Sequence, residues 1–282
     1  MLLEETIQTE YFKRMGDYIR KPFFVVFLAF FSSLAAESQD MEVGFNVGGS
    51  YYLGDLNPGM HFLNSRFAYG AVARVTLDTR WAVKINASRG TIMGSASSSG
   101  FLPERGLTFT SDLTDVSGTV EFNFMPYFTG SRMNPISPYI YTGISVFFFS
   151  PVNNGISLRT MGTEGQNVGF QGRTPYGSVS VSIPMGLGVK ISLAKRLGMQ
   201  VYWEIHKCFN DYLDDVSTTY YLDYRNIPAG DQAGITSDPT LNHEPGMQRG
   251  NPSNKDWFSF YGVAFTYKFR LLSSKKCRDL DH

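Results

Sequence analysis

The chain has 282 residues, and its 25 Lys and Arg balance 25 Asp and Glu, so the formal net charge is zero. With no basic excess, nucleic acid is not expected as a partner. Only 18% of the residues are charged and 15% are aromatic. A bundle of membrane helices needs several apolar runs of about 18 or more residues, whereas this sequence has one shorter run. Composition therefore leaves a soluble β protein or a membrane β-barrel.

The first recognisable feature in chain order is a secretory signal. Arg20 and Lys21 precede an apolar run over residues 23–34, and small residues follow it. This order of a basic region, an apolar region and small residues is that of a signal peptide. Cleavage after Ala35 or after Ser38 fits the pattern, and we favour the later site. A membrane anchor is the alternative, but the run is short for a bilayer.

The signal sequence defines the expected domain organisation. Met15 is a more typical start for a signal peptide than Met1, because the residues between them are polar and acidic. We expect an N-terminal extension and signal peptide over residues 1–38, a barrel over 39–272 and a periplasmic C-terminal tail over 273–282. The mature chain is then one exported domain.

Beyond the signal, apolar and polar residues alternate with a period of two, which is typical of β-strands. The segment 107–110 has the opposite phase to the strand that follows it, so we expect a β-bulge near 111–115. The segment 139–149 is apolar on both faces and cannot be oriented. The eight predicted strands cover residues 41–53, 66–78, 81–88, 116–124, 139–149, 176–193, 199–206 and 257–271.

The connections between these strands alternate in length. Those after strands one, three, five and seven are mostly the longer ones, although 125–138 is long for a turn at the other end. Outer-membrane barrels combine short periplasmic turns with long extracellular loops. The pattern therefore predicts an all-β, eight-stranded, antiparallel, up-and-down transmembrane barrel with long extracellular loops.

The composition of the polar face of each strand indicates that this face lines the lumen and that the apolar face meets lipid. Mixed charges interleaved with Gly and Ser can pair inside a narrow eight-stranded lumen. Aromatic residues near the strand ends fit two interfacial girdles, which a soluble lipocalin-like barrel, the alternative, does not explain. The predicted lumen residues are Arg74, Lys84, Glu121, Lys190, Glu204 and Lys268. The predicted girdle residues are Trp81, Phe124, Tyr267 and Phe269 at the periplasmic rim, and Tyr51, Phe147, Phe148, Tyr212 and Trp257 at the outer rim.

Residues capable of chemistry are few. Cys208 and Cys277 fall at opposite ends of the predicted barrel, too far apart for a disulfide. A thiol at Cys277 can instead pair with a partner. The four histidines lack metal-ligand spacing. We therefore predict no catalytic, cofactor or metal site.

A carboxylate cluster provides the main alternative. Asp211, Asp214 and Asp215 stand beside Tyr212 where a strand leaves the membrane, so we interpret them as a solvated outer rim. Paired carboxylates can also position a water. With His206 added, these residues are the candidates for a barrel enzyme, either a protease or a lipid hydrolase.

Five segments together resemble the PorG-type barrels of the type IX secretion system. These segments are YYLGDLNP at 51–58, SPYIYTG at 137–143, GTEGQ at 162–166, SIPMGLG at 182–188 and DYLDDVSTTY at 211–220. The resemblance implies a non-enzymatic outer-membrane barrel that contacts a periplasmic ring of a PorK-type lipoprotein and a PorN-type protein. It also implies a role in exporting proteins with a C-terminal signal and, in gliding cells, adhesins.

The expected partners follow from this placement. Outer-membrane lipid surrounds the barrel, while the periplasmic turns and the tail contact the ring. In the tail, Lys275, Lys276, Cys277 and Arg278 are the candidate partner-binding residues. A small structural barrel without a dedicated partner is a third possibility. Because a lumen filled with side chains cannot pass a folded protein, we do not expect this barrel to be the export pore.

Overall fold

The computed structural model describes residues 40–227 and 230–270. The signal peptide and the tail predicted at either end lie outside these residues. The strands are β1 Asp40–Leu53, β2 Arg66–Thr76, β3 Trp81–Ser95, β4 Thr108–Asn123, β5 Ile136–Asn153, β6 Ile156–Ser157, β7 Val179–Ala194, β8 Leu197–Cys208 and β9 Trp257–Arg270. Short α-helices cover Ala96–Ser99, Leu158–Met161 and Gln232–Ser237, and 3-10 turns cover Pro103–Arg105, Phe170–Gly172 and Tyr224–Asn226. No helix in the described parts of the chain is long and apolar enough to cross a membrane.

The long strands close into a barrel. Their order is β4-β3-β2-β1-β9-β8-β7-β5, every neighbouring pair is antiparallel, and pairing of β4 with β5 completes the ring. The two-residue β6 only extends the tip of β5. Closure satisfies every strand edge, as a hydrocarbon environment requires. The predicted eight-stranded antiparallel barrel is therefore confirmed.

The ends of the barrel differ as the sequence predicted. One end carries the connections 77–80, 124–135 and 195–196, and the shortness of 77–80 and 195–196 identifies it as the periplasmic end. The other end carries the connections that we call the extracellular cap, which span residues 54–65, 96–107, 154–178 and 209–256. The connection 124–135 is long for a periplasmic turn, as the sequence also indicated.

Polar and charged side chains face the lumen of the barrel, and apolar side chains face outward. Charged lumen residues such as Glu121 and Lys190 are 0% and 1% exposed, whereas large apolar residues cover the outer wall. Water would reverse this arrangement, so the wall is solvated by lipid. The protein is a multi-pass β-barrel of the bacterial outer membrane. Exposed apolar residues on the wall include Phe45, Phe67, Trp81, Val116, Val120, Ile140, Ile144, Phe148, Leu187, Val201, Tyr267 and Phe269.

The predicted bulge near 111–115 is wrong. Strand β4 pairs with β3 in continuous register from Thr108 to Phe122, and the register shift in the barrel lies instead at Ser192 and Ala194 of β7. The apparent change of phase has another cause. Phe109 and Leu113 point into the upper lumen, where they are buried, so apolar residues occupy the lumen face there.

The same arrangement corrects part of the predicted outer girdle. Phe147 is fully buried in the lumen, and its neighbour Phe148 faces outward, which also orients the strand that alternation could not. Tyr51 does face outward. It is nevertheless covered, because His61 of the cap lies 2.9 Å from its hydroxyl and Phe62 packs on its ring.

Candidate functional site

The extracellular cap brings three distant sequence segments together. Glu164, in the GTEGQ segment, accepts hydrogen bonds from the backbone amides of Ser217 and Thr218 at 2.8 and 3.0 Å. The Thr218 hydroxyl donates to the same carboxylate at 2.5 Å. An ion pair with Arg249 at 3.0 Å completes the set. One buried carboxylate therefore fastens the GTEGQ segment to the DYLDDVSTTY segment.

Two arginines link the remaining loops to this pair. Arg249 also donates to the carbonyl oxygen of Asp215 at 2.5 Å. Arg105 donates to the carbonyl oxygens of Arg249 and Asp55 at 2.7 and 2.6 Å. All these contacts use buried guanidinium groups, and charge-assisted hydrogen bonds of this kind are stronger than neutral ones. The cap is therefore a structured layer and not a set of independent loops.

Asp215 lies at the centre of the layer. Its carboxylate accepts hydrogen bonds from the hydroxyls of Thr163 and Tyr176, the latter at 2.6 Å. Burial raises the pKa of the Asp215 carboxyl to about 6. Burial also raises the pKa of Asp211 to about 6, although the Ser217 hydroxyl donates to it at 2.5 Å.

Two further carboxyls, those of Asp214 and Asp256, join the cap to the barrel wall. The Tyr52 hydroxyl lies 2.5 Å from Oδ2 of Asp214 and 3.1 Å from Oδ1 of Asp256. A hydroxyl has a single proton, so one of the two carboxyls must be protonated for both contacts to be good hydrogen bonds. Burial raises the pKa of both Asp214 and Asp256 well above the usual range, which is consistent with a shared proton.

An apolar plug lies beneath this polar layer and fills the mouth of the lumen. Its side chains come both from the strands and from the loops above them. Phe147 and Phe258 pack with ring centroids 5.0 Å apart, while Leu213 and Val216 of the DYLDDVSTTY segment close the layer from above. The plug contains Tyr52, Leu56, Ile92, Phe109, Leu113, Phe147, Phe149, Leu213, Val216 and Phe258, each no more than 2% exposed.

The lower lumen is closed by charge pairing. Glu121 lies 2.7 Å from both Arg74 and Lys190, and 3.5 Å from Lys84. Arg74 also pairs with Glu42 at 2.9 Å. The predicted lumen residues are thus confirmed as inward-facing, and they occupy the cross-section that an open pore would need.

The periplasmic turn 124–135 reinforces this closure. The Thr129 hydroxyl donates to Glu42 at 2.6 Å, and Gly130 donates its amide to the Ser192 hydroxyl at 2.8 Å. The turn therefore folds up against the lumen. A remaining cavity of about 10 Å³ beside Lys84 and Glu204 is at the lower limit for a single water.

His206 is held in the upper lumen by a polar set of its own. Its Nδ1 lies 3.1 Å from the Ser182 hydroxyl and 3.3 Å from that of Ser145, and its Nε2 lies 3.4 Å from Glu204. Its ring stacks on Phe258 at 4.2 Å. The combination of serine, histidine and carboxylate resembles a nucleophilic triad, but the apolar plug separates it from the outside.

The residues of the enzyme alternative are not assembled. The hydrogen-bond partners of Asp211, Asp214 and Asp215 are all cap residues or Tyr52, whereas His206 bonds within the lumen. The interpretation of these carboxylates as a solvated rim is also wrong, because each is less than 5% exposed. They lie on the extracellular side as expected, but under the loops and not at the edge of the wall.

The other predicted site residues have simple positions or lie outside the described chain. Tyr212 stacks on Tyr176 with ring centroids 4.6 Å apart. Cys208 is a buried free thiol. No group of three or more His, Cys, Asp or Glu side chains in residues 40–227 and 230–270 is placed to hold a metal ion. The candidate tail residues Lys275, Lys276, Cys277 and Arg278 fall outside the described residues.

The residues that organise the cap were missed by sequence reasoning. Glu164 lies in a segment noted only for the PorG resemblance, without a role of its own, and Arg105 and Arg249 lie in loops without any motif. The sequence offered one signal of their importance, which is an isolated charged residue followed by a glycine, as in Glu164-Gly165 and Arg249-Gly250. Such a signal cannot identify its partner, because Glu164 and Arg249 are 85 residues apart.

Comparison with solved structures finds other small outer-membrane barrels. Ail of Yersinia pestis has 10% identity and a TM-score of 0.40, with 82% of this chain and 98% of that chain covered. Neisserial surface protein A has 9% identity and a TM-score of 0.42, with 82% of this chain and 97% of that chain covered. OprG of Pseudomonas aeruginosa has 12% identity and a TM-score of 0.41, with 83% of this chain and 97% of that chain covered. None of these similarities bears on what this chain binds, and the barrel is established by its own strand pairing.

No curated protein matches the chain. A family model described as a domain of unknown function, DUF6089, matches residues 20–277. That match includes the whole barrel and every loop of the cap. The chain therefore belongs to the DUF6089 family.

Proposed function

We propose that this protein is a non-enzymatic outer-membrane component of a type IX secretion system that anchors a periplasmic ring of a PorK-type lipoprotein and a PorN-type protein. One observation carries the proposal. Three of the segments on which the PorG resemblance depends, 51–58, 162–166 and 211–220, meet in one buried cluster. A joint match of segments that depend on each other in space is more specific than separate short matches.

The closed lumen supports an anchoring role over a conducting one. The apolar plug fills the extracellular mouth and the Glu121 network fills the lower half. An eight-stranded barrel packed in this way has no room for an unfolded or folded cargo chain. Cargo therefore passes elsewhere, and this barrel contributes a fixed position in the membrane.

The periplasmic turn 124–135 is the part of the described chain best suited to contact the ring. Met133 is 92% exposed, and Met125 and Phe128 are about half exposed. Arg132, next to Met133, is also exposed. Exposed methionine and aromatic side chains with a neighbouring arginine are typical of protein contact surfaces. The tail residues 275–278 remain part of the proposed contact.

Deletion of the gene tests the secretion role. In a strain that secretes proteins with a C-terminal signal, loss of this barrel should leave cargo in the periplasm. Restoring the wild-type gene should restore secretion, and gliding where the strain glides. Normal secretion by the deletion strain would overturn the proposal.

Substitution of the turn tests the anchoring contact. Met133→Asp combined with Arg132→Glu should abolish co-purification of the ring proteins from detergent extracts. Met60→Asp is the matched control, because Met60 is a half-exposed methionine in the extracellular cap. Both variants should keep the heat-modifiable migration of a folded barrel. Unchanged ring recovery with the turn variant would assign the contact to another surface.

A further inference from the structure

A groove on the outer wall near the extracellular rim contains two arginines. Its volume is about 540 Å³, and it lies across β2, β3 and β4 on the side that faces lipid. Two exposed aromatic rings, Phe67 and Tyr69, flank it with centroids 6.0 Å apart. The groove is lined by Arg66, Phe67, Tyr69, Arg89, Gly90, Thr91 and Thr110.

The strand register places the groove at the level of lipid headgroups. Tyr69 pairs with Arg89 in one row across β2 and β3. The next outward row towards the periplasm is entirely apolar and consists of Ala71, Ala87 and Val116. Charged outward side chains on β3 thus begin where the apolar wall ends, which is where headgroups meet acyl chains.

The arginines are available to bind a ligand. Arg89 lies 3.4 Å from Asp112, in a pair whose side chains are 58% and 63% exposed, and exposed pairs of this kind are weak. Asp112 also accepts a hydrogen bond from Thr91 at 3.1 Å. Arg66 donates to the sulfur of Met93 at 3.1 Å, and a thioether is a weak acceptor. Two guanidinium groups against one carboxylate leave the groove positive.

We propose that this groove binds the phosphorylated headgroup of an outer-leaflet glycolipid of the lipid A type. Arginine is the side chain best suited to phosphate, because its planar fork donates two parallel hydrogen bonds. Below the groove, the outward residues Ala71, Ala73 and Ala87 have small side chains, so the wall can accommodate an acyl chain. The proposal is independent of the secretion role, since it requires only the barrel and its membrane.

Lipid titration of the purified barrel tests the site. Diphosphorylated lipid A added in mixed micelles should give one tightly bound lipid per barrel by native mass spectrometry. Combining Arg66→Ala with Arg89→Ala should weaken this binding at least tenfold, because each substitution removes a charged phosphate contact. Arg196→Ala is the matched control, since it removes an exposed arginine on the periplasmic connection 195–196 and should leave affinity unchanged.

Two further ligands separate a lipid site from a general anion site. Lipid A without its phosphates and deacylated lipid A should both bind at least tenfold more weakly than the intact lipid. Wild-type affinity in the double variant, or equal losses with Arg196→Ala, would overturn the site. Equal affinity for the deacylated headgroup would overturn its assignment to a lipid.

Discussion

Glu121 shows how one buried carboxylate determines the packing of the lower lumen. Three cations, Arg74, Lys84 and Lys190, lie within 3.5 Å of it, and its side chain is fully buried. Each buried cation would be costly without a counter-charge. The carboxylate therefore has a larger effect on stability than any of the exposed ion pairs.

Replacing this carboxylate should destabilise the barrel strongly. We expect Glu121→Gln to lower the free energy of unfolding by about 3–5 kcal/mol, since it leaves uncompensated buried charge. Glu244→Gln is the control, because the Arg225–Glu244 pair is 57% and 58% exposed and should contribute less than about 1 kcal/mol. Urea titration of tryptophan fluorescence in micelles measures both. Similar losses in the two variants would contradict the assigned role of Glu121.

The aspartates of the cap make its stability depend on pH. The pKa values of Asp211 and Asp215 are raised to about 6 by burial, above the usual value near 3.9 of an unfolded chain. Between these values the folded cap binds more protons than the unfolded one, so its stability falls as pH rises through this window. Asp238 has the opposite shift: its pKa is lowered despite burial, because His243 hydrogen-bonds to it. The stability that ionised Asp238 contributes to the cap is therefore lost only when the pH falls below the usual pKa of an aspartate.

Amide hydrogen exchange should detect this dependence. After correction for intrinsic exchange rates, residues of the connection 209–256 should be better protected at pH 5 than at pH 7.5. Asp215→Asn should reduce the difference, because the amide keeps the shape without the titration. Greater protection at pH 7.5 would show that the carboxylates are stabilising in their charged form.

At the scale of elements, the cap is held by contacts between loops and not by regular structure. Its helices are at most six residues long, too short to be stable alone. Glu164 joins 154–178 to 209–256, and Arg105 joins 96–107 to 54–65. Removing one such contact is therefore expected to loosen several loops without opening the barrel.

Substitution of Glu164 tests this independence. Glu164→Ala removes the acceptor of two backbone amides, a hydroxyl and Arg249, and should make 209–256 sensitive to added protease at the cell surface. The heat-modifiable migration of the barrel should not change, since the ladder of the strands is untouched. Glu104→Ala, at an exposed glutamate of the same cap, should remain resistant. If Glu164→Ala also stayed resistant, another contact would have to hold the cap.

At the scale of the whole molecule, the lumen of the barrel is blocked at two depths. The apolar plug and the charged network lie at different depths, so loss of one leaves the other in place. We expect the purified protein to give no ion conductance in planar bilayers. The Phe147→Ala variant should also give no conductance, because the Glu121 network still fills the lower lumen. Recordings beside a conducting porin provide the control. Discrete current steps with the wild-type protein would contradict the closed lumen.

The sequence alone determined the barrel, its strand number and the inward set of charges from Arg74 to Lys268. Alternation with a period of two is a local property, and each strand carries it independently of the others. The lengths of the connections likewise followed from turn residues between the strands. These features could be predicted because no partner from elsewhere in the chain is needed to define them.

Only the tertiary structure decided how the two ends of the lumen are filled. Phe109, Leu113 and Phe147 face inward because loops from distant parts of the chain cover the mouth and replace water with apolar contacts. The carboxylates of 211–215 are buried for the same reason. Alternation reports which residues share a face. Whether that face meets water, lipid or another loop depends on contacts between distant residues, such as Thr163 with Asp215, 52 positions apart, and Tyr52 with Asp256, 204 positions apart. The local pattern contains no signal for such contacts.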